Sequence, residues 1–374
     1  MNIQFRRLAV SALVAAALLM MHSTLSIAAA PVVPGTGTWI SYVGDDFEDP
    51  SWSFIHQFPK SSRENDERGR SPMGRSVNGR WKEGPERGQP DHLQVVPTPA
   101  GGLEGSQYSL MMRTLNSGVP GRRSFGVEQD DLIVNCLGRL RSSIPVSEIP
   151  SCVARVYLPP ADQWEARSGP QFGFRTSAST VATERVSSGF FGSRSETTVE
   201  PYWPGMWIHF KSKTNRNVEK DSAFLTVRGD RRGRDFHALD IPEEKFGWWT
   251  MGMSYTGDGM VHYYAKPGVE DLTAADYITS QFPYTYRAQR FRTFFFDVCN
   301  KDDGRSWSTP FVIDDPRLYL VHSTRVAAIV KRQIESEERR ELARRNKKQP
   351  KKSARVSKRP NVAQALDGLA DPAR

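Results

Sequence analysis

Long apolar runs are scarce in this 374-residue chain. Apart from Leu8 to Met21, interrupted by Ser11, no stretch approaches the roughly 20 apolar residues that a membrane-spanning helix needs. That run falls short before His22-Ser23-Thr24. Arg6 and Arg7 precede it, and small residues follow at Ser26-Ile27-Ala28 and Ala28-Ala29-Ala30, the order of a secretory signal. Pro31 disfavours cleavage directly after Ala30, so Ala28 or Ala29 is the expected site. Export to a periplasm or to the outside of the cell is therefore expected. No cysteine follows the small residues, which leaves lipid anchoring without support.

Cysteine is nearly as scarce. Three residues fit a lightly stapled exported protein. Cys136 and Cys152 could close a short loop, and Cys299, inside a Phe-rich run, reads as a buried thiol; the pairing stays open. HExxH, Walker, GxSxG and CxxC motifs are all missing, and the seven histidines lack ligand spacing, so a catalytic zinc site has no support.

Basic charge is missing from most of the chain, although the net charge is +9. Residues 323–360 hold 14 Lys and Arg against 4 Glu, and the first seven residues add two more, which leaves 8–322 near −2. A nucleic-acid protein usually spreads basic charge over its folded body, so nucleic acid is disfavoured as a partner. The basic tail suits contact with an anionic envelope polymer.

What the chain does have is a long series of short strand-like runs separated by Gly, Pro, Asn and Asp. The clearest are 107–114, 152–158, 171–175, 206–212, 223–227, 247–255, 261–265, 291–298 and 310–321. Several alternate with period two. Met206, Ile208 and Phe210 are expected on one side, with Trp207, His209 and Lys211 on the other; Trp249, Met251, Met253 and Tyr255 are likewise set against Trp248. Asp258-Gly259 between two runs is a hairpin signal. Such a series predicts an all-β, two-sheet antiparallel jelly-roll sandwich. The expected organisation is a signal peptide at 1–29, a linker at 30–39, the sandwich at 40–322, a charged helix at 323–346 and a disordered basic tail at 347–374. A polar, Arg- and Gly-rich segment at 59–90 interrupts the pattern, and loops of that length are usually functional or disordered.

Asp45-Asp46-Phe47-Glu48-Asp49-Pro50 with Trp52, the run Phe311 to Tyr319 with its Ile313-Asp314-Asp315, and the Trp-bearing hairpin from Gly247 to Ala265 together resemble the concanavalin A-like lectin/glucanase superfamily, in its laminin-G-like group. The resemblance spans about 40–322. It implies two curved sheets with a carbohydrate site on the concave face. It also implies a structural Ca²⁺ where first and last strands pair, for which Glu48 and Asp314 are the candidate ligands.

Three readings of function follow. The first is a protein that recognises polysaccharide, an anionic one among the candidates, through Arg80, Trp81, Trp207, Lys211, Trp248 and Lys266, because aromatic rings stack on sugar faces while basic groups bind hydroxyls and carboxylates. The second draws on the alginate-lyase-like members of the superfamily. Arg175, then Trp207-Ile208-His209, then Tyr264-Ala265-Lys266-Pro267-Gly268 resemble their strand order, with Trp207 in place of Gln. The resemblance implies β-elimination, with Arg175 neutralising a uronate carboxylate and His209 and Tyr264 moving protons. The glucanase E-x-D-x-(x)-E strand is absent; Glu128-Gln129-Asp130-Asp131 starts like it and lacks the second Glu, so a glycoside hydrolase is less favoured. The third is a structural envelope protein.

Overall fold

The computed structural model describes residues 29–66, 74–187 and 193–348. The expected signal segment, up to residue 28, and the basic tail beyond 348 lie outside the described residues. No helix among the described residues is long and apolar enough to cross a membrane.

In chain order the strands begin with β1 (Thr38–Gly44), β2 (Phe54–Ile55), β3 (Arg75–Ser76), β4 (Trp81–Glu83), β5 (His92–Pro97), β6 (Tyr108–Arg113) and β7 (Glu128–Val134). A short helix α1 (Cys136–Leu140) leads to β8 (Ile144–Pro145), β9 (Pro150–Leu158) and the long β10 (Gly169–Ser187). There follow β11 (Ser193–Tyr202), β12 (Gly205–Lys211), β13 (Ser222–Arg228), β14 (Asp235–Pro242) and β15 (Gly247–Tyr255). The last are β16 (Val261–Pro267), β17 (Tyr277–Gln281), β18 (Arg290–Asn300) and β19 (Phe311–Leu320), before helix α2 (Thr324–Lys348). Sheet 1 has the order β17-β16-β15-β9-β19-β6-β5. Sheet 2 has the order β14-β13-β12-β10-β18-β7-β4-β3-β2. Every described pairing is antiparallel. The two-sheet antiparallel sandwich expected from the sequence is present.

Two strands change partner along one of their edges. The start of β19 pairs with β6 and its end with β1, on either side of an irregularity where Asp315 takes a left-handed φ of 47°. The start of β10 pairs with β12, and its continuation runs on with β11 as a ribbon.

The core lies between the sheets and follows the period-two alternation. Phe172 and Phe174 of β10, Met206, Ile208 and Phe210 of β12, and Phe294 and Phe296 of β18 point inward from sheet 2. Trp249, Met251, Met253 and Tyr255 of β15 meet them from sheet 1. Phe172 stacks toward Phe311 at 4.7 Å between ring centroids, and the Tyr255 hydroxyl lies 2.5 Å from Thr176 Oγ1 across the sandwich.

Two expectations need correction. The first strand is Thr38–Gly44, not the acidic stretch after it. Asp45 there is a hub, whose Oδ2 accepts from Trp52 Nε1 (3.1 Å), Trp81 Nε1 (3.0 Å) and Asn78 Nδ2 (2.8 Å). Cys136 and Cys152 are both buried free thiols, so the loop-closing disulfide is not formed; Cys299 is the buried thiol it was expected to be. The expected C-terminal helix is present as α2; Val326 in its first turn is buried and Arg325 pairs with Glu148. Residues 331–348 group apart from the sandwich as a second unit.

Candidate functional site

The register of sheet 2 sets side chains in rows across its outer face. One row runs Asp131, Asp297, Gly173, Trp207 and Thr226 over β7, β18, β10, β12 and β13. The next runs Ile133, Phe295, Arg175, Gly205 and Arg228. Each row has a glycine near its middle. A Cβ at Gly173 would lie 2.6 Å from Asp297 Oδ2 and 2.8 Å from the Trp207 ring, and one at Gly205 would lie 2.5 Å from Arg175 Cγ. Neighbouring side chains therefore lean into the gaps, as glycine permits.

Above these rows lies a cleft of about 440 Å³. Asp131, Arg175, Arg228 and Phe295 form its floor. The loops supply its walls, with Glu64, Glu86 and Arg87 on one side and Trp203 and Tyr284 on the other. Part of the long polar segment thus becomes a wall. Glu64 N donates to Glu86 O at 3.1 Å, and buried Glu83 accepts from Ser61 N (2.6 Å) and Gly74 N (3.0 Å), tying the segment to β4.

The floor is a chain of alternating cations and rings. Arg228 sits 5.6 Å from the centroid of Trp207, and Arg175 lies 5.1 Å from Trp207 and 5.2 Å from Phe295. Arg175 also reaches Asp297 Oδ2 at 3.4 Å. Asp297 is fully buried, and burial pushes its carboxyl well above the ordinary range, with the Asp131 charge acting in the same direction. Two ionised carboxylates side by side would repel and leave Asp297 Oδ1 without a partner. A proton on Asp297 would let it donate to Asp131 and would remove that repulsion. Of the two only Asp131 lines the cleft, so toward a polyol the pair presents acceptor oxygens. Trp207 Nε1 and Arg175 Nε are also buried without hydrogen-bond partners.

The residues singled out from sequence separate into two groups. Arg175, Trp207, His209 and Lys211 share the outer face of sheet 2, as expected. His209 stacks on Phe224 at 4.8 Å and lies 3.1 Å from Thr226 Oγ1, and burial pulls its pKa down to about 4, so it is neutral at pH 7. Lys211 lies 4.9 Å from the Phe224 ring and 3.7 Å from Asp240.

Of the first group only Arg175 lines the cleft, and the other group does not reach it. Tyr264, Trp248 and Lys266 project from the outer face of sheet 1, because β15 and β16 belong to that sheet. Tyr264 is buried there in a small cluster with Val153 and Leu272, and Trp248 packs on Tyr157 while donating to Pro99 O. The Arg175, His209 and Tyr264 set is thus split between opposite faces and forms no common site. Trp81 points inward, fully buried and stacked on Phe47. Arg80 is spent on the carbonyls of Ser41 and Gly44. Glu48 accepts from Gln107 N and Asp314 from Ser106 Oγ, and no group of three or more His, Cys, Asp or Glu among the described residues is arranged to hold a metal ion.

Sequence reasoning missed Asp297, Trp203, Arg228 and Tyr284, and met Asp131 only as part of a glucanase-like run. The available signal was Asp297 itself, a lone carboxylate closing the run Phe294-Phe295-Phe296 at an outward position. A larger hollow of about 620 Å³, lined by Phe58, Lys60 and Asp91, is less suited to a ligand. Its Lys60 is already held by Asp130 (2.5 Å), Asp91 (3.0 Å) and Thr114 (3.3 Å).

No family model matches the chain, and no curated protein matches it. Solved structures do align with it. A carbohydrate esterase from Shiga toxin-encoding bacteriophage phi24B aligns at 11% identity, over 65% of this chain and 90% of that one, with a TM-score of 0.35. An alginate lyase from Pseudomonas aeruginosa aligns at 11% identity, over 62% and 86%, also at 0.35. An alginate lyase from Klebsiella pneumoniae aligns at 9% identity, over 74% and 95%, at 0.34. Likeness at this level assigns neither an activity nor a ligand.

Proposed function

We propose that this is an exported polysaccharide-binding protein that takes its glycan in the cleft on the outer face of sheet 2. The cleft itself carries the reading. Exposed Trp203 and partly buried Tyr284 offer ring faces beside guanidinium and carboxylate groups, over a floor with unsatisfied buried polar atoms. Sugars ask for that combination, an apolar ring face for their C–H surfaces and fixed polar groups for their hydroxyls. The secretory-type residues of the first 30 positions support an extracytoplasmic partner. β-Elimination through Arg175, His209 and Tyr264 is no part of this reading, since the tyrosine lies on the other sheet.

A glycan array probed with the full chain tests it. Binding to a restricted set of polysaccharides is expected, and Trp203→Ala should weaken that binding about tenfold, the value of one ring stacked on a sugar. Unselective binding, or unchanged affinity in Trp203→Ala and Arg175→Ala alike, would remove the cleft from the function.

A further inference from the structure

Away from the cleft, the ammonium group of Lys60 is buried among more acceptors than it can serve. Lys60 lies in the segment after β2, Asp91 leads into β5, Thr114 follows β6 and Asp130 stands on β7. Lys60 Nζ is 2.5 Å from Asp130 Oδ2, 2.5 Å from Asn116 O, 3.0 Å from Asp91 Oδ1 and 3.3 Å from Thr114 Oγ1. An ammonium has three hydrogens for these four acceptors. Lys60 is 5% exposed and Asp130 is fully buried, and Asp130 Oδ1 has no hydrogen-bond partner among the described residues. Taking two carboxylates and an ammonium out of water carries a heavy desolvation cost, which a neutral amine and a neutral acid would avoid.

Amide formation between two side chains needs an amine, a carboxylic acid and a second carboxylate to carry the proton, and all three are here. The Cγ of Asp130 is one C–O bond beyond Oδ2, so it lies within about 3.7 Å of Lys60 Nζ. Groups poised to react stand roughly 3–3.5 Å apart. Burial pushes the Asp130 carboxyl up to about 8, which favours the acid. Burial acts on Asp91 too, but the Lys60 charge and the N–H groups of Asn116 and Leu115 outweigh it and hold that carboxyl below its ordinary value. Those N–H groups fix Asp91 Oδ2 at 2.7 and 2.8 Å, while Oδ1 faces the amine. We infer that Lys60 and Asp130 join in an intramolecular isopeptide bond, with Asp91 moving the proton. Once a proton has passed from Lys60 to Asp130, the neutral amine attacks Cγ. Asp91 takes the proton that the nitrogen sheds and delivers it to the departing hydroxyl. A C–N bond forms, a C–O bond breaks and one water leaves; nothing is oxidised or reduced, and the net charge is unchanged. The bond ties the segment that carries Glu64, a wall of the cleft, to sheet 2, in a chain whose three cysteines are all free thiols. It is independent of any ligand that the cleft takes.

Mass spectrometry of the denatured full chain tests it. The parent should be lighter by one water than the sequence that starts at its observed N-terminus. Tandem spectra of a digest should join the peptide holding Lys60 to the one holding Asp130. Lys60→Arg keeps the cation without a nucleophilic amine, and Asp91→Asn removes the proton carrier; each should show its full mass. A parent at full mass overturns the inference and leaves Lys60 in an ordinary buried ion pair. A missing water located at Asp258-Gly259 or Asp303-Gly304, where an aspartyl carboxyl can close on the next amide, overturns it as well. An Asp91→Asn chain that is still linked overturns the role given to Asp91. The parent mass alone can refute the bond, so a variant that fails to fold does not protect it.

Discussion

Asp297 shows how one side chain can be costly to fold and still shape a site. It lies at zero exposure in an aromatic run, beside Asp131 on the next strand and under Arg175. Because its folded pKa is raised, the native state holds a proton that the unfolded chain gives up near the ordinary aspartate value of about 3.9. Stability contributed by that proton is complete below this value and declines as pH rises above it toward the folded pKa. Asp297→Asn replaces the acid with a neutral group of the same shape, which can still donate to Asp131. The variant should therefore lose less stability than the parent between about pH 4 and pH 7. Urea unfolding at a series of pH values measures this, and parallel curves for the two proteins would mean that Asp297 is not the proton-holding partner.

At the scale of elements, the cleft depends on two glycines set in neighbouring rows of one sheet face. Gly173→Ala would place a methyl within 3 Å of both Asp297 and Trp207, and Trp207 is already flanked by Arg175 and Arg228. Overpacking of this kind costs about 1–3 kcal/mol. The variant should show a lower urea midpoint with an unchanged m-value, together with weakened glycan binding because Asp297 and Trp207 beneath the cleft must shift. Normal binding by a destabilised variant would place the ligand elsewhere on the face. The strands themselves were readable from sequence because each buries one face, so that alternation in β12 and β15 marks the inward residues directly. Two segments not singled out as strands, β5 and β14, have one fully buried position each and a correspondingly weak alternation. The site was less readable for a different reason. Alternation tells which residues point outward from a strand but not which sheet the strand joins, so Trp207 and Tyr264 seemed to share a face. The row of Asp131, Asp297 and Gly173 draws on strands up to about 165 residues apart, and only the register brings them together.

For the sandwich as a whole, its two outer faces are treated differently, and that difference supports the proposed placement of the glycan on sheet 2. The outer face of sheet 1 is covered. The segment 32–35 lies across it, with Val32 O accepting from Ser254 Oγ, Gly35 N donating to Ser151 Oγ, and Val33 packing on the cluster that holds Tyr264. Leu272 closes the same cluster, and the turn carrying Pro99 covers Trp248. The outer face of sheet 2 keeps its polar rows beneath an open cleft. Tyr264 is on this account a packing residue, its ring 5.5 Å from that of Tyr277. Tyr264→Ala should lower stability by about 3 kcal/mol, as deletion of a large buried aromatic does, and leave glycan affinity within about twofold. Thermal melts and calorimetry on one preparation supply both readings. A tenfold loss of affinity at a temperature where the variant remains folded would show that the covered face takes part in binding, and the assignment of ligand to sheet 2 alone would fall.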